Sequence, residues 1–115
     1  MLKKWSEISS LDEWRENWEA SGEHPVVIFK HSTACPVSAE ALREYEQYIS
    51  KISDTEVKYL LVKVIESRPI SNQIAEDCQV KHESPQALVI KNKQVTWSAS
   101  HWKITESSLK QAIDG

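Results

Sequence analysis

The chain has 115 residues, with 14 Lys and Arg against 17 Asp and Glu and a net charge of −3. That length suits one domain spanning residues 1–115, able to bury about two-thirds of its unfolded surface in one core, and the absence of any basic block argues against nucleic acid as a partner. No run approaches membrane-spanning length and charged residues follow the N-terminus, so neither a membrane partner nor a signal peptide is expected. Only two cysteines occur, Cys35 and Cys78. They form no secreted-type disulfide framework, and a reducing, cytoplasmic setting fits them best.

Taken in chain order, Ser10-Leu11-Asp12-Glu13 has the capping-box form, and Leu11, Trp14 and Trp18 follow at helical spacing. A helix is predicted from Leu11 to Ala20, with Trp5, Trp14 and Trp18 as a packing stripe. Pro25 leads into Val26-Val27-Ile28-Phe29, β-branched and aromatic, which reads as a buried strand. From Pro36, the residues Val37, Ala41, Leu42, Tyr45, Tyr48, Ile49 and Ile52 mark one apolar helix face.

A second strand is predicted over Val57–Val64, its continuous apolar centre implying burial on both sides. A strand, helix, strand succession implies a parallel crossover. Arg68-Pro69 opens another helix, with Ile70, Ile74 and Cys78 on one face, fading near Val80. Gln86–Ile90 and Gln94–Ser98 read as strands joined by a polar turn, an antiparallel hairpin. Thr105 is placed to cap a last helix carrying Leu109, Ala112 and Ile113. The pattern is α/β.

Between the first strand and the long helix lies His31-Ser32-Thr33-Ala34-Cys35-Pro36-Val37-Ser38. Pro36 suits the first helical position, which makes Cys35 the N-cap at the carboxyl end of a strand, where open α/β sheets place their ligands. The aligned peptide dipoles and unpaired N–H groups of a helix start, here those of Val37 and Ser38, favour a thiolate. A thiol that ionises more readily than a free cysteine is therefore predicted at Cys35.

Three segments carry a resemblance that covers nearly the whole chain. Ser32-Thr33-Ala34-Cys35-Pro36-Val37-Ser38 is similar to the active site of the YtxJ-type monothiol bacilliredoxins. His82-Glu83-Ser84-Pro85-Gln86 resembles the cis-proline segment of the thioredoxin fold, and Ser100-His101-Trp102-Lys103-Ile104-Thr105 resembles the loop which that fold brings beside its active site. The resemblance implies a thioredoxin-like fold: a four-stranded mixed central sheet with helices on both faces and an additional N-terminal helix.

The activity it implies is a monothiol thiol-disulfide oxidoreductase that removes bacillithiol from mixed disulfides on proteins. Cys35 would be catalytic, with Thr33, Ala34, Pro36, Val37, Ser38, Ser84, Pro85 and His101 as active-site or substrate-binding residues. No cofactor is bound; bacillithiol is the co-substrate, and bacillithiolated proteins and a low-molecular-weight thiol are the partners. Family likeness favours a cis Ser84-Pro85 bond, which would let the Ser84 backbone pair with an extended substrate. A trans proline that merely starts an edge strand is the alternative.

Ser38 lies three residues beyond Cys35, where dithiol oxidoreductases hold a resolving cysteine. A hydroxyl can donate to a thiolate but forms no disulfide, so a mixed disulfide on Cys35 waits for an external thiol. Two rival readings stay open: a dithiol reductase resolved by Cys78, whose helical face otherwise marks it as core, and a non-catalytic thiol- or metal-binding module. His31, Cys35, Cys78 and His82 supply the ligand types of a Cys2His2 zinc site, but their spacing is loose and the cysteines fall on different helices, so no metal is expected. His101 either shapes the groove or biases Cys35 electrostatically, or is an ordinary exposed loop histidine.

Overall fold

The computed structural model describes residues 5–52 and 56–114. Its elements are β1 (Ser6–Glu7), α1 (Leu11–Ala20), β2 (Val26–His31), α2 (Pro36–Ser50), β3 (Lys58–Lys63), α3 (Arg68–Cys78), β4 (Gln86–Lys91), β5 (Gln94–Ser100) and α4 (Glu106–Asp114), with a 3-10 turn over His101–Lys103. The local signals act as expected at most boundaries. Ser10 Oγ accepts the Glu13 N–H at 3.1 Å, and the Glu13 carboxylate returns to the Ser9 N–H at 3.0 Å. Thr105 Oγ1 accepts the Ser108 N–H at 3.0 Å, which caps α4.

One sheet runs β1-β3-β2-β4-β5. β1 and β2 flank β3 in parallel, β4 is antiparallel to β2, and β5 to β4. The sheet is thus five-stranded rather than four-stranded. The extra strand is two exposed residues long, too short for alternation to be readable. Backbone pairing defines it, ending in the Ile8 N–H bond to the Leu61 carbonyl at 2.9 Å.

Strand side chains alternate between two core layers. Val27, Phe29, Leu61, Ala87 and Val89 meet Ala41, Tyr45 and Leu109 of α2 and α4. Val26, Ile28, Leu60, Val62, Leu88 and Ile90 meet Trp14, Ile70, Ile74 and Cys78 of α1 and α3. The tryptophans divide between the layers. Trp14 and Trp18 lie 5.6 Å apart on the α1/α3 side, whereas Trp5 packs on the α2/α4 side and its indole donates to Glu46 at 3.0 Å. The three-residue stripe is therefore two residues, since Trp5 precedes the helix and its chain runs along the sheet edge.

The hairpin turns at Asn92 and Lys93, both at positive φ of 53° and 58°, the twist that a two-residue link requires. Ser21, buried at the end of α1, accepts the Asn92 N–H on its carbonyl at 2.7 Å and the Lys93 N–H on its hydroxyl at 3.0 Å.

Leu109 is fully buried and anchors α4 against the layer beneath α2. Leu109→Ala should lower the unfolding free energy by about 2–5 kcal/mol in urea titration; a loss well under 1 kcal/mol would show that α4 does not depend on this contact.

Candidate functional site

All six residues of β2 are buried, and the chain leaves its carboxyl end through Ser32, Thr33 and Ala34 to Cys35. The Cys35 N–H donates to the Ser32 carbonyl at 3.3 Å and the Cys35 carbonyl accepts the Ala39 N–H at 3.1 Å. Cys35 is the N-cap of α2, in extended backbone conformation, followed by Pro36, and its thiol makes no capping hydrogen bond. It is partly exposed, with exposed Thr33, Ala34 and Pro36 around it and half-buried Val37 behind. The Thr33 hydroxyl donates to Glu66 at 3.3 Å.

Ser38 takes a different position from the simple expectation that its hydroxyl serves Cys35. It is fully buried. Its Oγ accepts the Ser32 N–H at 2.9 Å and lies 2.7 Å from His31 Nδ1. The hydroxyl therefore fastens the first turn of α2 to the loop that carries Cys35. Burial holds the His31 imidazole below the usual histidine range, with Glu66 and Glu46 acting in the opposite sense and Lys63 in the same one. The ring is accordingly neutral at pH 7.

The register pairs Lys30 with Gln86, so continuing it one step sets Pro85 at the end of the sheet from which Cys35 emerges. The Ser84-Pro85 bond is cis, as the resemblance favours, and the edge-strand alternative falls because β4 lies between β2 and β5. The Ser84 hydroxyl is buried with no partner among the described residues. His101 is exposed, at φ 55°, and its N–H donates to the Pro85 carbonyl at 3.1 Å. That amide bond joins the turn after β5 to the cis-proline segment. Trp102 beside it is 70% exposed.

The apolar pattern ends the first strand at Phe29 and so misses Lys30, which continues the alternation into the α3 layer. Lys30 is fully buried, with Nζ 3.1 Å from the Ser71 carbonyl and 3.1 Å from His82 Nδ1. No carboxylate accompanies it in these contacts, and burial lowers its pKa to about 8. The ammonium ties the loop before the cis-proline to β2 and α3. His82 is held below the usual histidine range by burial and then by Lys30 and Arg68, which keeps Nδ1 free to accept.

Cys78 is buried at the far end of α3, and burial pushes its thiol up to about 12. It lies in the α1/α3 layer, with the sheet between it and α2. A disulfide needs Cα atoms within about 7 Å, which two helices on opposite faces of a sheet do not provide. The four zinc ligand types are likewise separated: His31 is bound to Ser38 and His82 to Lys30. Among the described residues no group of three or more His, Cys, Asp or Glu side chains could hold a metal ion. Nor is any described helix long and apolar enough to cross a membrane.

A mixed sheet between two helical layers, a cysteine capping the helix after the central strand, and a cis-proline at the same sheet end define a protein of the thioredoxin fold. Within that class the chain belongs to the monothiol bacilliredoxin family, matching the family described as monothiol bacilliredoxin BrxC over residues 6–109. It is similar, at 32% identity and TM-score 0.84, to a solved structure provisionally described as an oxidoreductase with a thioredoxin fold, over 95% of this chain and 93% of that one. Thioredoxin from Malassezia sympodialis shares the fold at 21% identity and TM-score 0.77, over 98% and 90%. Spinach chloroplast thioredoxin f does so at 18% and 0.73, over 98% and 93%.

Lys30 makes stability depend on pH with a definite sign. An unfolded lysine titrates near 10.5 and Lys30 at about 8, so the folded state carries the cost of a buried charge at every pH below 8. That cost is lifted as pH rises from 8 to 10.5. The wild-type protein should therefore gain stability relative to Lys30→Met by about 3 kcal/mol across this window. Chemical denaturation of both proteins measures it. Parallel stability curves would show that Lys30 is not buried as an ammonium.

Proposed function

We propose that this chain removes bacillithiol from proteins by monothiol exchange at Cys35. The Cys35 thiolate attacks the bacillithiol sulfur of a protein-bacillithiol disulfide; the Cys35–bacillithiol bond forms as the old S–S bond breaks, and the target protein leaves as its thiolate. A second thiolate then attacks the bacillithiol sulfur on Cys35 and releases the Cys35 thiolate, leaving a disulfide of bacillithiol with that second thiol. Electrons balance at each step, and the co-substrates are thiols of a reducing cytoplasm.

The observation that carries this reading is the contrast between the two cysteines. Cys35 is partly exposed at a helix start, while Cys78 is buried with its thiol held protonated. Membership of the monothiol bacilliredoxin family supports bacillithiol as the small thiol. Thr33, Ala34, Pro36 and Val37 shape the approach to sulfur in this reading. Ser84 and Pro85 present backbone to an extended substrate, and His101 holds that backbone from behind.

Intact-mass measurement after exposure to oxidised bacillithiol, and separately to oxidised glutathione, tests both activity and thiol choice. One bacillithiol adduct is expected, absent from Cys35→Ser, with little or no glutathione adduct. An adduct retained in Cys35→Ser, or a preference for glutathione, would refute the assignment. Placing a thiol at the blocked position sharpens the test: in Ser38→Cys the adduct should collapse to an internal disulfide with release of bacillithiol, and a stable adduct there would show that residue 38 cannot reach Cys35.

A further inference from the structure

Sheet order and register fix the sequence of loops at the end from which Cys35 emerges. Lys30, Gln86 and Ser100 form one row across β2, β4 and β5. β2 and β5 are each antiparallel to β4, so both chains leave the sheet in the same direction, one towards Cys35 and the other towards His101 and Trp102. β4 enters between them through Pro85, whose carbonyl accepts the His101 N–H at 3.1 Å. The 3-10 turn that follows β5 also reaches α2, with Cα atoms of the two coming within 8 Å. On the other side of β2, the loop after β3 carries Ile65 and is tied to the Cys35 loop by the Thr33 hydroxyl bond to Glu66 at 3.3 Å.

Three large apolar side chains are exposed among the described residues, Leu11, Ile65 and Trp102, and the last two stand on these loops. Trp102 is the most exposed of them at 70%. Its 3-10 turn opens on His101 at φ 55°, a left-handed conformation uncommon outside glycine and concentrated where proteins hold ligands. The charges differ between the two sides. Beside Trp102, the Ser100 hydroxyl and then His101, Lys81 and Lys103 hold the Glu83 carboxylate below its usual range, so that two lysines face one acid. Beside Ile65, Glu66 is acidic and Lys63 is paired with Glu7 at 3.6 Å.

An exposed aromatic face with surplus positive charge beside it suits a ring of mixed polarity that carries anionic groups. Bacillithiol has its parts in that order from the sulfur: a cysteinyl amide, a glucosamine ring and a malate with two carboxylates. Extended from Cys35, the disulfide and cysteinyl amide reach roughly 8 Å to the sugar, and the lines of β2 and β5 lie about 9.5 Å apart at ordinary strand spacing. We propose that Trp102 is the specificity-determining residue for bacillithiol, its indole stacking on the apolar face of the glucosamine ring while the cysteinyl part spans the cis-proline. Lys81 and Lys103 then meet the malate carboxylates. Glutathione offers no ring and gains nothing from the indole.

The inference rests on bacillithiol being the thiol that Cys35 takes up, and its test separates the two. The full-length protein is exposed to oxidised bacillithiol and, in parallel, to methyl methanethiosulfonate, which caps the same sulfur but carries no sugar. Intact mass gives the rate of each adduct, and the ratio of the rates is the readout. Trp102→Ala should lower the bacillithiol-to-methylthio ratio about tenfold, equal to ~1.4 kcal/mol. Trp102→Phe, which keeps an aromatic face, should stay within about threefold of wild type. Proton NMR of the purified Cys35–bacillithiol adduct should show the pyranose resonances shifted upfield by the indole, a shift lost in Trp102→Ala. A ratio unchanged in Trp102→Ala, or pyranose resonances at the same positions in both adducts, would overturn the inference and leave the thiol choice standing. Wild-type protein that takes the methylthio group but no bacillithiol would remove the thiol choice, and this inference with it.

Discussion

β2 is hydrogen-bonded to neighbours on both edges and covered by helices on both faces, and this constraint governs most of the site. Every side chain from Val26 to His31 is buried whatever its polarity. For four residues that means ordinary apolar packing. For the last two it means that an amine and an imidazole must find polar partners inside the protein, since an unpaired polar group there costs about 1–3 kcal/mol. Lys30 finds Ser71 and His82 on one face, His31 finds Ser38 on the other, and the two pairs hold the loops on either side of the sheet end in place.

The position of Cys35 depends on these attachments. Its loop is held at Ser32 by the Ser38 hydroxyl and at Thr33 by Glu66, while the Val64 N–H bond to the His31 carbonyl at 2.9 Å fastens the strand end below. On the far side His82 fixes the segment that leads into Ser84-Pro85, and the His101 amide fixes its exit. The site is thus built from loops that are individually short and tied to β2 or β4, which holds Cys35 and the cis-proline in fixed positions at one end of the sheet.

Periodicity and capping chemistry are enough to read α1, α2, α3 and the β4–β5 hairpin, because each is long enough for one face to repeat. Cys35 as N-cap is legible from Pro36 alone. β1 is not legible, since two residues carry no period. Lys30 and His31 read as the start of a loop because polar residues usually end a strand. The signal that could have found them is the parity of Lys30, which falls on the inward face of the α3 layer. Ser38 is legible as a residue that cannot resolve a disulfide, yet its bonds to His31 and Ser32 lie seven and six residues back in sequence and are set by the strand-to-helix turn, not by helical spacing.

The hairpin also determines how this sheet meets other molecules. One edge is closed by the two residues of β1, but the other, β5, runs seven residues and exposes a full row of backbone groups, the usual template for unwanted strand pairing. Two features blunt it. Ile90 pairs with Val95 while Val89 pairs with Trp97, so Thr96 is an extra residue that bulges the strand, and bulges bend an edge away from a flat partner. Gln94, Thr96 and Ser98 face solvent, so an incoming strand would meet polar side chains and a broken register. The one long edge of the sheet is therefore unreceptive to strand addition, which leaves the end of the sheet that carries Cys35 and the cis-proline as the place where backbone groups stay accessible without inviting edge-to-edge pairing.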